Sequence, residues 1–132
     1  MSKISIGMPV YNAEQHLEKS IKSILSQTYR NFELIISDNA STDSTSEICK
    51  KFVKIDSRIR YFKQSKNMGP LWNFHFVLDQ SNCEYFMWAA SDDRRSTSFL
   101  EKTLSVILSN KKAVCGMSKA KFFDIAEIKN TD

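Results

Sequence analysis

Asp92 and Asp93 stand side by side at the end of the apolar stretch "EYFMWAA", and Arg94 and Arg95 follow at once. Adjacent carboxylates repel, so a place at the mouth of an apolar strand calls for a partner of opposite charge. Mg²⁺ or Mn²⁺ is such a partner: each is hard, prefers carboxylate oxygens, and can bridge to a diphosphate that the carboxylates alone would repel. Two more clusters have the same setting. "PVYN" (Pro9 to Asn12) follows the apolar run "ISIGM", and "SDNASTD" (Ser37 to Asp43) closes "FELIIS". The Tyr11 ring offers a flat face for stacking a base. Asp38 and Asn39 offer acceptors for a base N–H or for ribose hydroxyls. These are the residue types that hold a nucleoside diphosphate through a metal ion.

Plainer roles compete for the same residues. Asp92 and Asp93 would also suit the start of the next helix, facing its dipole. Asp43 reads as support for the second helix, and Arg94 and Arg95 as solvated salt-bridge partners. His16 reads as a surface residue and His75 as a packed one. Trp72 and Trp88 read as core, Met68 and Met87 as core or rim.

The elements that must position the clusters alternate along the chain. "ISIGM" (Ile4 to Met8) is a short strand stopped by Pro9. A helix follows, with Asn12 as its cap, Gln15 as the reciprocal partner, and Leu17, Ile21, Ile24 and Leu25 at helical spacing. "FELIIS" is the second strand. Ser44 and Glu47 form another capping box, with Ile48, Phe52 and Ile55 as the inner stripe of the second helix. "RIRYFK" (Arg58 to Lys63) alternates as an edge or half-exposed strand does. Gly69-Pro70 opens a third helix, Pro standing where its missing N–H does no harm, with Trp72, Phe76 and Val77 facing inward. "EYFMWAA" reads as a strand buried on both sides. Leu100, Leu104, Ile107 and Leu108 mark a fourth helix, and "AVCGM" and "AKFFDI" later strands. Four strand–helix alternations predict one α/β domain over residues 1–132, an open, mostly parallel sheet with helices on both faces. Ligands of such sheets bind outside the carboxyl ends of the strands, where all three polar clusters would lie.

Composition excludes several classes. The chain has 132 residues and a net charge of +4, with Lys and Arg scattered rather than in runs, which argues against a nucleic-acid partner. Anionic ligands or lipid surfaces stay compatible with that charge. Cys49, Cys83 and Cys115 are far apart and odd in number, which favours small buried apolar residues in a reducing compartment over zinc or disulfides. No signal-peptide core is present, and no apolar run approaches the ~20 residues of a membrane span. A cytoplasmic protein is expected, one that can rest on the inner membrane surface.

The stretches "ISIGMPVYNAEQHLEKSIKSILSQTYRNFELIISDNASTD", "KNMGPLWNF" and "EYFMWAASDD", in this order and spacing, resemble the N-terminal half of a family 2 glycosyltransferase of the GT-A fold. The resemblance covers nearly the whole chain. It implies transfer of a sugar from a nucleotide-diphosphate donor, a UDP-sugar as first guess, to an acceptor hydroxyl on a glycan or lipid-linked carrier. Pro9, Tyr11 and Asp38 match the family's nucleotide-binding positions. Asn39 falls where many members carry a second acidic residue, as in "DDGS". Asp93 matches the last carboxylate of the DxD metal motif and Asp92 its neighbour, also a nucleotide-side position, whereas Ser91 replaces the first Asp and implies a more ligand-dependent Mn²⁺ or Mg²⁺ site. Asn67 and Gly69 match an "RNxG" loop near the donor sugar, with Lys66 in place of its Arg.

The family's catalytic base lies on the acceptor side, downstream of the metal motif, so it is expected beyond Asp132; Asp124 and Glu127 are weak substitutes. A truncated domain with trace activity is one expectation. The alternative is a non-catalytic nucleotide-sugar-binding or assembly remnant. Phe122, Phe123 and Ile125 would be partly uncovered in such a chain, which predicts a homo-oligomer.

Overall fold

The structure is a computed structural model and describes residues 3–120. Strand and helix alternate four times: β1 (Ile4–Val10), α1 (Leu17–Leu25), β2 (Phe32–Asp38), α2 (Thr45–Ile55), β3 (Ile59–Lys63), α3 (Pro70–Asp79), β4 (Tyr85–Trp88) and α4 (Phe99–Ser109). The strands form one sheet in the order β3-β2-β1-β4, every pairing parallel. All carboxyl ends therefore lie at one end of the sheet.

Side chains alternate between the two faces of a strand. Ile4, Ile6, Met8 and Val10 of β1 and Leu34 and Ile36 of β2 join one core, with Leu17, Ile21 and Ile24 of α1, Cys49 and Phe52 of α2, and Leu100 and Leu104 of α4. The other face carries Gly7, Ile35 and Ser37 and is covered by α3. Asn73 Nδ2 donates to the Ser37 carbonyl (2.9 Å) and the Ser37 hydroxyl donates to Asn73 Oδ1 (2.5 Å). Helices thus lie on both faces. Gly7 permits the close approach: a Cβ there would sit 2.7 Å from Val77 Cγ2 and 2.7 Å from Phe86 Cζ.

Several expectations need correction. β1 continues through Pro9. Odd-numbered residues of β1 turn their backbone groups toward β4, as the Gly7 carbonyl does in accepting from Ala89 N–H (2.8 Å). β4 ends at Trp88, opposite Gly7, so the N–H that Pro9 lacks has no ladder to join. Asn12 does not cap α1. It has φ 47°, and the helix begins behind His16. Ser44 precedes α2 without a side-chain cap bond. Asp43 Oδ1 instead accepts from Thr45 N–H (3.0 Å), and Glu14 Oε2 from Ser44 N–H (2.9 Å). At the start of α2 a local acceptor, Asp43, and one from the preceding loop, Glu14, stand in for the expected box. Gly69-Pro70 does open α3, with Gly69 at φ 88°.

The apolar stripes are narrower than their sequence periodicity. Ile55 and Leu108 are exposed. β4 is a sheet edge among the described residues, so its side chains are only partly covered; Trp88 is 46% exposed. Trp72 lies outward on α3, stacked on Phe76 at 5.1 Å, and His75 is exposed beside it. Cys49 is buried, Cys83 half-buried and Cys115 exposed. "AVCGM" is not a strand: Val114 and Met117 are almost fully exposed. Ala120 is in no strand, and the rest of "AKFFDI", with Phe122, Phe123, Asp124, Ile125 and Glu127, falls outside the described residues.

Candidate functional site

The loop after β1 and the loop after β2 are stitched together. Asn12 N–H donates to Ser41 Oγ (2.9 Å), Ala13 N–H to Thr45 Oγ1 (2.8 Å) and Glu14 N–H to Asp43 Oδ2 (3.1 Å). Thr42 N–H returns a bond to Asn12 Oδ1 (2.9 Å). Burial alone would push the Asp43 carboxyl up; bonds from the Thr45 hydroxyl and from the Thr45 and Glu14 N–H groups outweigh it and hold the carboxyl below its ordinary value. Asp43 therefore supports α2, as read from sequence, and also pins the first loop.

Beside this seam an open cleft of about 330 Å³ is lined by Pro9, Tyr11, His16, Phe74, Ser91 and Asp92, among others. Tyr11 is 49% exposed and lines this cleft. Asp92 and Asp93 are exposed on the loop after β4. Arg94 is exposed, but Arg95 is half-buried: its guanidinium lies 5.8 Å from the Phe99 ring centre, and its backbone N–H donates to Ser23 Oγ (3.2 Å). Burial lowers the Arg95 pKa, and nearby Asp93 acts to raise it. Arg95 is thus not a fully solvated side chain; its guanidinium is sheltered beside the Phe99 ring.

Asp38 and Asn39 are placed differently from the open residues. Asp38 is 0% exposed and Asn39 2%. Asp38 Oδ1 accepts from Ser41 N–H (2.8 Å) and Oδ2 from the Tyr61 hydroxyl (2.9 Å). Tyr61 Oη also lies 3.1 Å from Ser46 Oγ, and burial raises the Tyr61 pKa. Asn39 Nδ2 donates to Asn67 Oδ1 (2.9 Å) and to the Gly69 carbonyl (3.1 Å), while its Oδ1 accepts from Met68 N–H (2.9 Å). The structure thus brings Asn39, Asn67 and Gly69 into direct contact, and Pro9, Tyr11 and Asp92 into one cleft. Lys66 is exposed beside the loop. Sequence reading missed Tyr61, Ser41 and Phe74. The signal for Tyr61 is register: it pairs with Ile36, two residues before Asp38 and on the same face.

Asp92, Asp93 and Ser91 offer hard oxygen donors. Among the described residues no group of three or more His, Cys, Asp or Glu side chains gathers to hold an ion. The donor set fits Mg²⁺ or Mn²⁺ that completes its shell with water and phosphate oxygens, and would not enclose an ion alone.

The sequence model of Glycosyl transferase family 2 matches residues 5–132. An uncharacterized glycosyltransferase of Haemophilus influenzae is 40% identical over 110 residues, 83% of this chain and 44% of its own. A GalNAc(5)-diNAcBac-PP-undecaprenol beta-1,3-glucosyltransferase of Campylobacter jejuni is 38% identical over 94 residues, 70% of this chain and 30% of its own. The chain spans less than half the length of either relative. Among solved structures, S. aureus TarS 1-349 in complex with UDP-GlcNAc superposes with TM-score 0.75 at 25% identity, covering 81% of this chain and 31% of that one. The mannosyltransferase PcManGT from Pyrobaculum calidifontis, in complex with GDP-Man and Mn²⁺, superposes with TM-score 0.72 at 18% identity, covering 78% of this chain and 31% of that one; this likeness is one of fold.

Proposed function

The chain belongs to glycosyl transferase family 2 and its sheet has the GT-A arrangement, and on that premise we propose that it binds a nucleotide-diphosphate sugar at the carboxyl ends of β1, β2 and β4 for transfer to an acceptor hydroxyl in glycan synthesis. The observation that carries this reading is the cleft in which Tyr11 and Asp92, eighty-one positions apart, face one space at the ends of adjacent strands. Tyr11 stacks the base. The stitched loops after β1 and β2 hold its backbone in place, with Asp38 as their buried anchor. Asp93, helped by Asp92 and Ser91, holds Mg²⁺ or Mn²⁺ when the diphosphate is present. The ion offsets the charge of the diphosphate and stabilises it as a leaving group. Lys66 and the Asn67–Gly69 loop stand on the sugar side.

The names of the relatives support a glycan or lipid-linked acceptor for this chain, and UDP as the first nucleotide to try. Among the described residues no helix is long and apolar enough to cross a membrane; we place the reaction in the cytoplasm, at the inner membrane surface where a lipid-linked acceptor would lie. Isothermal calorimetry with UDP, GDP and dTDP in Mn²⁺ tests the donor reading. Saturable binding of at least one is expected, and no heat from any of them at millimolar concentration would overturn it.

A further inference from the structure

An amide at position 39 can do something that a carboxylate cannot. Asn39 Nδ2 gives both of its hydrogens to oxygens of one loop, Asn67 Oδ1 at 2.9 Å and the Gly69 carbonyl at 3.1 Å. Its Oδ1 takes the N–H of the residue between them, Met68, at 2.9 Å. Asn67 Oδ1 in turn accepts from Gly69 N–H at 2.8 Å, so the acceptor role of Asn67 is fixed from two sides. The Asn39 backbone is also tied, its N–H donating to the Val10 carbonyl at 2.9 Å. One side chain thus joins the carboxyl end of β2 to the turn that opens α3.

Asn39 is 2% exposed, both its amide hydrogens are committed and its Oδ1 already accepts from Met68 N–H, so its side chain turns toward the loop rather than toward a base. Asp38 beside it is fully buried and bonded through both oxygens. On the donor-site reading, on which this inference rests, we propose that Asn39 is a positioning residue: it latches the Asn67–Gly69 loop against β2, and the site reads its nucleobase without it. Aspartate at position 39 would lose both donated bonds and set a carboxylate against two oxygens. Gly69 also needs its backbone as it stands, at φ 88°, for Pro70 to begin α3. Releasing the latch therefore frees the loop and the first turn of α3 together.

The test compares the wild-type chain with Asn39→Asp and, as a variant that cuts the other end, Asn67→Ala. Amide exchange at Met68 and Gly69 is followed by NMR. Binding of UDP, CDP and GDP with Mn²⁺ is followed by calorimetry. CDP matters because its base presents an acceptor where uracil presents an N–H. Both variants are expected to speed exchange at Met68 and Gly69 by about tenfold or more, the loss of one or two buried bonds, while amides of the core strand β1 keep their protection. Affinity for the three nucleotides is expected to fall by a common factor, leaving the UDP-to-CDP ratio within about twofold of the wild type, since a latch has no base preference. A UDP-to-CDP ratio that moves tenfold in Asn39→Asp, with loop exchange unchanged, would overturn the proposal and make Asn39 a base-reading residue. If the wild-type chain binds no nucleotide, the donor reading fails separately, and unchanged exchange at Met68 in both variants overturns the latch.

Discussion

The Asp38 carboxylate, wholly buried at the end of β2, accepts the Tyr61 hydroxyl at 2.9 Å from the next strand. Its other oxygen accepts Ser41 N–H. One carboxylate thus ties β3 to the loop that holds Asn12 and, through it, the ground beside Tyr11. Water cannot replace the hydroxyl at a site with no exposure. Tyr61→Phe should therefore cost about 1–3 kcal/mol, the price of a buried acceptor left unpaired. A lowered urea midpoint for Tyr61→Phe, with weaker nucleotide binding alongside, is the expected result.

The seam between the first two loops should respond to acid. Free carboxyls of the Asp type protonate near pH 3.9, whereas Asp43 in the folded chain is held lower by its hydrogen bonds. Its contribution to stability is thus complete above that pH and is lost as the pH falls through the folded value. Protection of the Glu14 and Thr45 amides, taken relative to intrinsic exchange at each pH, should fall over that acid range as Asp43 takes its proton. Asp43→Asn should flatten this pH response.

Gly7→Ala tests the close approach of α3. The added methyl would meet both Val77 Cγ2 and the Phe86 ring at 2.7 Å. Phe86 is only partly buried and can swing, but Val77 is fully buried and stiff at χ1. Overpacking of this kind costs about 1–3 kcal/mol. The cost should shrink in a Val77→Ala background, which a double-mutant cycle in urea would measure.

How much of this was legible in the sequence depends on the range of the interactions involved. The alternation of strands and helices and the Gly69-Pro70 start are local signals, and both match the structure. The alternating "RIRYFK" reads as an edge or half-exposed strand, and β3 is an edge of the sheet among the described residues. What failed was decided at long range. Asn12 and Ser44 have the spacing of helix caps, yet Thr42 N–H takes the Asn12 side-chain oxygen and the Glu14 carboxylate takes the Ser44 backbone N–H, each across the two loops. Trp72 and Trp88 read as core because burial of a large ring is the usual outcome, but β4 has no further neighbour among the described residues and α3 turns Trp72 outward. The bonds from Asn39 to a loop twenty-eight positions on are of the same long range and have no local signal.

Asp93→Asn should remove the coupling between metal and nucleotide. With two carboxylates and a serine as donors, an ion is held firmly only with diphosphate oxygens in its shell. In the wild type, Mn²⁺ should tighten UDP binding; in Asp93→Asn the affinity should be the same with and without Mn²⁺. Undiminished metal enhancement in the variant would move the ion to other residues.

The most direct measurement is a titration of the isotope-labelled chain with UDP and Mg²⁺, followed by amide chemical shifts. Saturable shifts are expected in the segments after β1, β2 and β4, at Tyr11 to Ala13, Asn39 to Thr42 and Ala90 to Asp93, and in the Asn67–Gly69 loop. The opposite end of the sheet, around Lys3, Arg30 and Arg58, should stay unperturbed. Shifts confined to that opposite end, or none at saturating nucleotide, would contradict a donor site at the carboxyl ends of the strands.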